Sequence, residues 1–527
     1  MAPGVLDPAA RRRAIEAATS GDLDLLVVGG GITGAGAALD AATRGLRVAL
    51  VEARDLASGT SSASSKLIHG GLRYLEMGDA GLVREALRER ELLLTKLAPH
   101  LVAPVPFLWP LRGRGWERAY LGAGLALYDT LGGARSVPRH RHLTRRGALA
   151  AAPALRPDAL VGAVQFHDAA EDDARMVVAV ARTAAAHGAH VATRVRVTGF
   201  VRPGEVRAVD EETGAPLTLR ARWVAGAAGV WTDGLRALAG GRSARRIVPS
   251  KGIHVFVARD RIPMQTGLLA RTEKSVLFVI PWAGGWLIGD TDTPWRAGPD
   301  AVVATGADVD YLLGKANALL AEPLRREDVH GVTAGLRPLV ADAAGGADTT
   351  RISRRHVVET PAPGLTTIAG GKYTTYRVMA ADLVDAIARE LGVAARSVTR
   401  DVPLLRDDAR EVAGPAGPLE GGGGHLRSEV VRACTHEGAL HLDDVLERRL
   451  RLALTAPDRG LSAAAPAAEL MAGVLGWSRE RTRAEVAAWR TSVAARLAGE
   501  AERDDAAALA AYRAVLAERS GGGAAAA

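Results

Sequence analysis

A single cysteine, Cys434, stands in 527 residues. One thiol cannot close an intramolecular disulfide, build a Cys-based zinc site or hold an iron–sulfur cluster, which points to a reducing compartment. No run of about 18 apolar residues occurs, so no bilayer-spanning helix is expected. The opening MAPGVLDPAARRRAIEAA lacks the apolar core of a secretory signal, and the expected location is cytoplasmic. Zinc-finger spacing, an RNP-like strand and a helix-turn-helix signal are missing, so nucleic acid is not an expected partner. No metal site is predicted. What is there is ordinary globular composition, 48% hydrophobic and 24% charged, with arginine far outnumbering lysine. The formal net charge is +8. A solvated arginine surface accounts for it; an anionic substrate or an anionic membrane surface are the sharper readings.

Residues 24–34 read DLLVVGGGITG, an apolar run breaking into glycines at the spacing G-x-G-x-x-G: Gly29, Gly31 and Gly34. The first permits a tight turn, the second lets backbone approach a pyrophosphate, and the third lets helix pack on strand. The strand LRVALVEARD follows, with Glu52 about 20 residues on, where an acid binds a ribose hydroxyl. Strand before, helix after and acid in place predict a bound dinucleotide. The fingerprint by itself leaves NAD and FAD open, because both present a ribose and a pyrophosphate.

Length predicts two or three domains. Residues 1–21 read as a flexible basic leader and 519–527 as a flexible tail. Residues 22–66 form the βαβ opening, and 80–98 carry apolar residues at helical spacing. Residues 101–146 are mixed. Alternation at VGAVQFHD precedes the helix ARMVVAVARTAAAHG and the strand AHVATRVRVTGF. From 245 to 290 antiparallel strands run without intervening helices, predicting an inserted sheet domain. Glycines near 412–424 mark a linker. Beyond it, 425–518 reads as all helical, with Asp444 and Glu447 at capping-box spacing. The predicted fold is α/β: a Rossmann-type domain (about 22–100, 160–240 and 340–395) with an inserted, mainly antiparallel substrate sheet (about 101–159 and 245–335). Together these make a core over 22–400, followed by the helical domain.

The segment TSSASSKLIHGGLRYLE, residues 60–76, is less generic. Further blocks follow in order: EDDARM at 171–176, KGIHVFV at 251–257, FVIPW at 278–282, IGDTDT at 288–293, GLRPL at 335–339 and GGKYTTYR at 370–377. With the fingerprint, these blocks resemble the FAD-dependent glycerol-3-phosphate dehydrogenase family, within the D-amino-acid-oxidase-like flavoproteins. The resemblance spans roughly 22–500 and includes the helical HLDDVLERRLRLAL. One departure is the second glycine turn, GAAG at 226–229, where the family pattern is closer to NATG and side-chain hydrogen bonds are lost.

FAD is therefore the expected cofactor, gripped along its length by distant segments. Gly229 offers a second backbone turn. Gly371, Lys372, Thr374 and Thr375 precede a helix whose N-terminus would stabilise charge on a reduced flavin pyrimidine. In the serine-rich run, Ser61, Ser62, Ser65, Lys66 and Leu67 are expected against the diphosphate and the isoalloxazine edge. His69, flanked by Gly70 and Gly71, suits removal of an alcohol proton. A dianionic phosphate needs concentrated cations: Arg337, Lys372 and Arg354 or Arg355, completed by Arg73, Tyr74, Lys251 and His254.

The resemblance implies oxidation of sn-glycerol 3-phosphate to dihydroxyacetone phosphate, with His69 as base and hydride passing to the flavin. Electrons are expected to pass to a quinone. The basic, aromatic stretch RGRGWERAYLGAGLALYDTL, followed by RHRHLTRR, would lie peripherally on an anionic membrane. Oxygen as acceptor, an amine or amino-acid oxidase, and a flavin-bearing scaffold are the alternatives. The helical domain fits a homodimer contact, a brace or a partner dock.

Overall fold

The computed structural model describes residues 3–76, 78–113, 115–132, 136–272, 276–342, 352, 354–406 and 414–521. The apolar run Leu23–Val28 lies at the middle of a parallel sheet, where Leu25, Leu26 and Val27 are fully buried. Runs without polar alternation belong in strands covered on both faces. Parallel strands Val48–Val51 and His190–Ala192 extend one side; Pro216–Gly226 and Leu365–Gly370 extend the other. Helix Ile32–Thr43 packs between helices Asp173–Ala186 and Tyr376–Leu391, forming one apolar layer with Leu25 and Val27.

The opposite face carries Leu26 and Ala49, and there the leader differs from expectation. Pro8–Ser20 is a helix, capped by Asp7, which accepts the Ala10 amide at 2.6 Å, and stopped by left-handed Gly21. Ala14 and Ala18 are buried against the sheet, and Arg11 donates to the Thr193 carbonyl at 2.8 Å. A capped helix with a small-residue face docks instead of fraying.

A second, ten-stranded sheet forms the cap. Its long antiparallel pair, Arg245–Ala258 with Val329–Asp342, joins Gly285–Gly289, Val276–Trp282 and Gly267–Arg271. Gly267–Arg271 then runs parallel to Ala103–Leu111, which pairs with Gly162–Ala170. Gly162–Ala170 and Leu67–Ile68 thus belong to this sheet, not to the dinucleotide-binding one. Sequence periodicity identifies a strand but not its neighbours. The mixed region 101–146 yields helix Trp116–Gly132 at the cap edge.

Beyond 414, helices Arg427–His436, Leu461–Leu475 and Arg479–Ala501 pack around buried Trp489, Met471 and Cys434, while Asp505–Gly521 lies against Arg479–Ala501 and buries Ala508 and Leu509 beside Trp295 and Leu336. Burial pushes the Cys434 thiol up to about 12, so it is inert. The predicted capping box at Asp444 does not form. Asp444–Arg449 is a π-helical turn, and the buried Asp444 carboxylate instead accepts the Leu440 and His441 amides at 2.9 and 3.0 Å. Residues 407–413, which include the first two of the linker, and 522–527 of the tail lie outside the described residues, while the final helix runs three residues into the expected tail.

Candidate active site

A continuous cavity of about 1260 Å³ runs between the two sheets. At one end stands the glycine fingerprint. Gly29 has φ 117°, open only to glycine without strain, and its amide donates to the Val51 carbonyl at 2.9 Å. A Cβ on Gly34 would lie 1.8 Å from the Gly29 carbonyl oxygen, so the helix meets the strand only as glycine. Gly31, Ile32 and Thr33 bring the helix N-terminus to the cavity wall. Glu52 lines it too, oriented by the Gly30 and Arg54 amides at 2.6 and 2.8 Å, while burial raises its pKa. The serine-rich loop closes over this end. Ser61 Oγ accepts the Ile32 amide at 3.0 Å, and Ser65 Oγ shares a 2.9 Å hydrogen bond with His254 Nε2.

Ala228 and Gly229 line the middle, and Gly371, Lys372 and Thr374 line the far end, ahead of helix Tyr376–Leu391. The cavity is thus a long groove with a helix N-terminus and backbone turn at one end and a second glycine turn at the other. That geometry fits an extended dinucleotide of the FAD type.

His69 lines the groove, with its ring edge-on to Phe278. Its backbone amide donates to Thr374 Oγ1 at 3.1 Å. Burial pulls the imidazole down to about 4, so at neutral pH it is an unprotonated ring able to accept a proton. Lys372 Nζ donates to the Gly70 carbonyl at 3.2 Å and sits 3.6 Å from the Tyr74 ring centroid. Burial, aided by Arg354, lowers Lys372 to about 7 despite Asp79. Arg337 bonds Asp290 and donates to the Thr291 carbonyl at 2.9 Å. Its Nη1 is buried with no hydrogen-bond partner among the described residues. Arg354 enters the same wall, 3.3 Å from Asp292. The site therefore gathers a neutral imidazole and three cationic side chains beside the groove.

Several sequence-predicted residues fall elsewhere. Lys66 does not face the groove; it is buried beneath the serine loop, 2.7 Å from Asp173 and 2.9 Å from the Ser62 carbonyl. That same carbonyl turns Ser62 away from the cavity lining. Lys251 is tied to Asp308 at 2.7 Å and to Asp505 of the helical domain, against Trp295, so its charge is spent on packing. Arg355 points outward to Asp79 at 3.0 Å, which leaves Arg354 as the cavity arginine. Gly34 and Thr375 support the groove from behind. Arg73 belongs to helix Arg73–Glu76, but its side chain lies outside the described residues. Leu67, Ser61, Ser65, His254 and Tyr74 do line the cavity.

Residue patterns gave no hint of Asp168, Tyr128 and Arg90. Asp168 lines the cavity, accepts from the Tyr128 hydroxyl at 2.8 Å and pairs with Arg90. Asp290 and Asp292 sit within the IGDTDT block, whose two acids were the available signal for the partners of Arg337 and Arg354.

Comparison with known proteins agrees with this geometry. The FAD dependent oxidoreductase family matches residues 24–377, and the C-terminal domain of alpha-glycerophosphate oxidase matches 379–482. Glycerol-3-phosphate dehydrogenase 2 of Mycobacterium tuberculosis is 47% identical, covering 95% of this chain and 93% of that protein. The human mitochondrial glycerol-3-phosphate dehydrogenase is 41% identical, covering 70% of this chain and 53% of its own length. Among solved structures, the FAD complex of Bacillus halodurans glycerol-3-phosphate dehydrogenase superposes with a TM-score of 0.73. It is 26% identical and covers 92% of this chain and 97% of that one. FAD is the cofactor that the groove accommodates, and the chain belongs to the FAD-dependent glycerol-3-phosphate dehydrogenase family, within the FAD-dependent oxidoreductases.

Proposed function

We propose that the protein oxidises sn-glycerol 3-phosphate to dihydroxyacetone phosphate and delivers the electrons to a quinone. FAD, when bound, supplies the two-electron acceptor. Neutral His69 takes the proton of the C2 hydroxyl, its ring kept unprotonated by burial. Lys372, Arg354 and Arg337 hold the phosphate, with the acids at 290 and 292 fixing the two guanidinium planes. The carrying observation is that these three cations and His69 line the same cavity as the dinucleotide fingerprint. A carboxylate-plus-amine substrate carries less negative charge than a phosphate dianion and calls for fewer cations than the three that line this cavity.

Support for a membrane quinone comes from helix Trp116–Gly132. Trp116, Tyr120 and Leu127 are 76%, 53% and 47% exposed, at spacings that put them on one stripe. Tyr120, Ala123, Gly124 and Leu127 also line the cavity, so the stripe borders its mouth. Beside it runs the basic strand Arg141–Thr144, with exposed Arg139, Arg141, Arg145 and Arg146 around it. Aromatic and cationic groups in this arrangement suit the face of an anionic bilayer. No described helix is long and apolar enough to cross a membrane; our reading is a peripheral contact on the cytoplasmic face.

The test is anaerobic mixing of the purified protein with glycerol 3-phosphate, followed by separate addition of a soluble quinone and of air. Bleaching of the flavin and reoxidation by the quinone are expected. An unbleached flavin ends the substrate reading. Rapid reoxidation by air with stoichiometric peroxide, and none by quinone, assigns the acceptor to oxygen instead.

A further inference from the structure

Among the contacts of the helical domain with the dinucleotide-binding domain, those of the short segment ERRLR at 447–451 reach furthest toward the cofactor groove. Arg448 and Arg449 both converge on the buried carboxylate of Asp55, at 2.6 and 2.7 Å. Asp55 lies three residues after Glu52, which faces the groove. Arg451 continues past them to the serine loop. Its Nη2 donates to the Ser62 carbonyl at 3.2 Å and to Asp173, and its Nε lies 3.3 Å from Asp172.

The loop at 59–65 has little internal structure to fix its shape, only the 3-10 turn Thr60–Ser62. Side chains from outside do that work. The Ser62 carbonyl takes hydrogen bonds from both Arg451 and Lys66. Asp173 takes the Ser64 amide and hydroxyl at 2.9 and 2.7 Å. Burial would raise the Asp173 carboxyl, but Lys66 and Arg451 outweigh it and hold the group ionised. The indole of Trp282 lies 5.4 Å from Lys66 Nζ and 5.5 Å from the Arg451 guanidinium carbon. Arg451 itself holds φ 62°, a left-handed backbone that a non-glycine residue keeps only where its contacts over-determine it. On its upper side the loop meets the fingerprint helix through Ser61 and the cap through Ser65.

We propose that the C-terminal helical domain holds the serine loop in its cofactor-binding shape, with Arg451 as the positioning residue that turns the Ser62 carbonyl down and leaves Ser61 and Ser65 facing the groove. The domain thereby acts as a wedge behind FAD. This rests on FAD binding alone and not on the substrate reading, so it is tested without substrate.

The experiment measures FAD release from the purified holoprotein by the rise in flavin fluorescence after dilution. Arg451→Gln removes the charge and with it the ion pairs to Asp172 and Asp173 and the guanidinium bond to the Ser62 carbonyl, and Arg451→Lys keeps the charge with a single donor point. Arg459→Gln breaks the Arg459–Glu500 pair, 2.6 Å and wholly within the helical domain, and is the control for simple destabilisation. Release at least about tenfold faster in R451Q, intermediate in R451K and unchanged in R459Q is expected, although R459Q melts earlier. Release unchanged in R451K and R451Q overturns the proposal. A second measurement needs no variant: hydrogen exchange of the unmodified holoprotein in rising sub-denaturing urea. Amides at 59–66 should lose protection together with those at 444–455, as FAD departs. Opening of 444–455 while the loop stays protected and FAD stays bound also overturns it.

Discussion

The amide of Gly70 donates to the hydroxyl of Tyr128 at 2.8 Å, while the Gly70 carbonyl accepts from Lys372 at 3.2 Å. The two peptides flanking Gly70, the first of them shared with His69, are thus each held, one by the helix at the cavity mouth and the other by the second glycine turn. Tyr128 is buried, and its own proton goes to Asp168, which Arg90 neutralises. Tyr128→Phe leaves the Gly70 amide without its acceptor and leaves Asp168 with Arg90 but without the Tyr128 hydroxyl. An unsatisfied buried donor costs about 1–3 kcal/mol. Lower Tm and a kcat reduced roughly tenfold through misplacement of His69, with KM little changed, are expected in calorimetry and steady-state assays. Unchanged kcat removes this peptide from the catalytic arrangement.

The pH profile follows from Lys372. Its pKa of about 7 means the free enzyme carries this charge below that pH and loses it above. A descending limb in kcat/KM near pH 7 is expected. In kcat the limb moves to higher pH, because a bound dianion stabilises the ammonium. Lys372→Arg, always protonated, should abolish the limb. Its persistence in that variant assigns the titration to another group.

Stability has its own pH dependence at the domain junction. His441 lies 2.6 Å from Glu212, in the turn between strands Glu205–Asp210 and Pro216–Gly226, and 3.0 Å from Glu485 of the helical domain. Burial works against its protonation, but the two carboxylates win and raise it to about 9. A raised pKa stabilises fully below the unfolded value near 6.5 and loses that contribution as pH climbs through 9. A decline on the order of 2 kcal/mol is expected across this window, and it should vanish in His441→Gln. The parent minus His441→Gln difference in urea titrations at pH 6 and pH 10 isolates it, because Lys66 and Lys372, lowered to about 8 and about 7, contribute with the opposite sign over the same range in both proteins.

Peripheral binding predicts a separation between membrane contact and chemistry. Trp116, 76% exposed and off the cavity lining, is the clean probe. Trp116→Ser should weaken sedimentation with anionic liposomes at low salt while leaving activity with a water-soluble dye intact. High salt should release the parent protein as well. Equal sedimentation of the two proteins points the docking face elsewhere.

Much of the cofactor groove was readable because its logic is local. Gly29, Gly31, Gly34 and Glu52 lie within one βαβ unit, where spacing alone dictates turn, helix start and ribose acid. His69, Arg337 and Lys372 stood out through their blocks, and all three line the cavity. Lys251 was misread for the opposite reason. Its block resembles the family's, but its charge is taken by Asp308 and Asp505, 57 and 254 positions away. Arg354 and Arg355 were inseparable in sequence, since adjacent residues ahead of strand His356–Ala362 differ only in the direction their side chains take. The leader concealed its helix because two buried alanines make a weak apolar signal.

Residue order alone determined that a phosphate-bearing dinucleotide binds here, because strand, glycine turn and helix N-terminus are contiguous in the chain. Tertiary structure decided which charges face the cavity and which are cancelled behind it. Asp168, Tyr128, Asp290 and Arg451 acquire their roles only when separate sheets and helices bring them together. Charge neutralisation and hydrogen bonding act over a few ångströms of space, and that proximity is created by packing rather than by spacing along the chain.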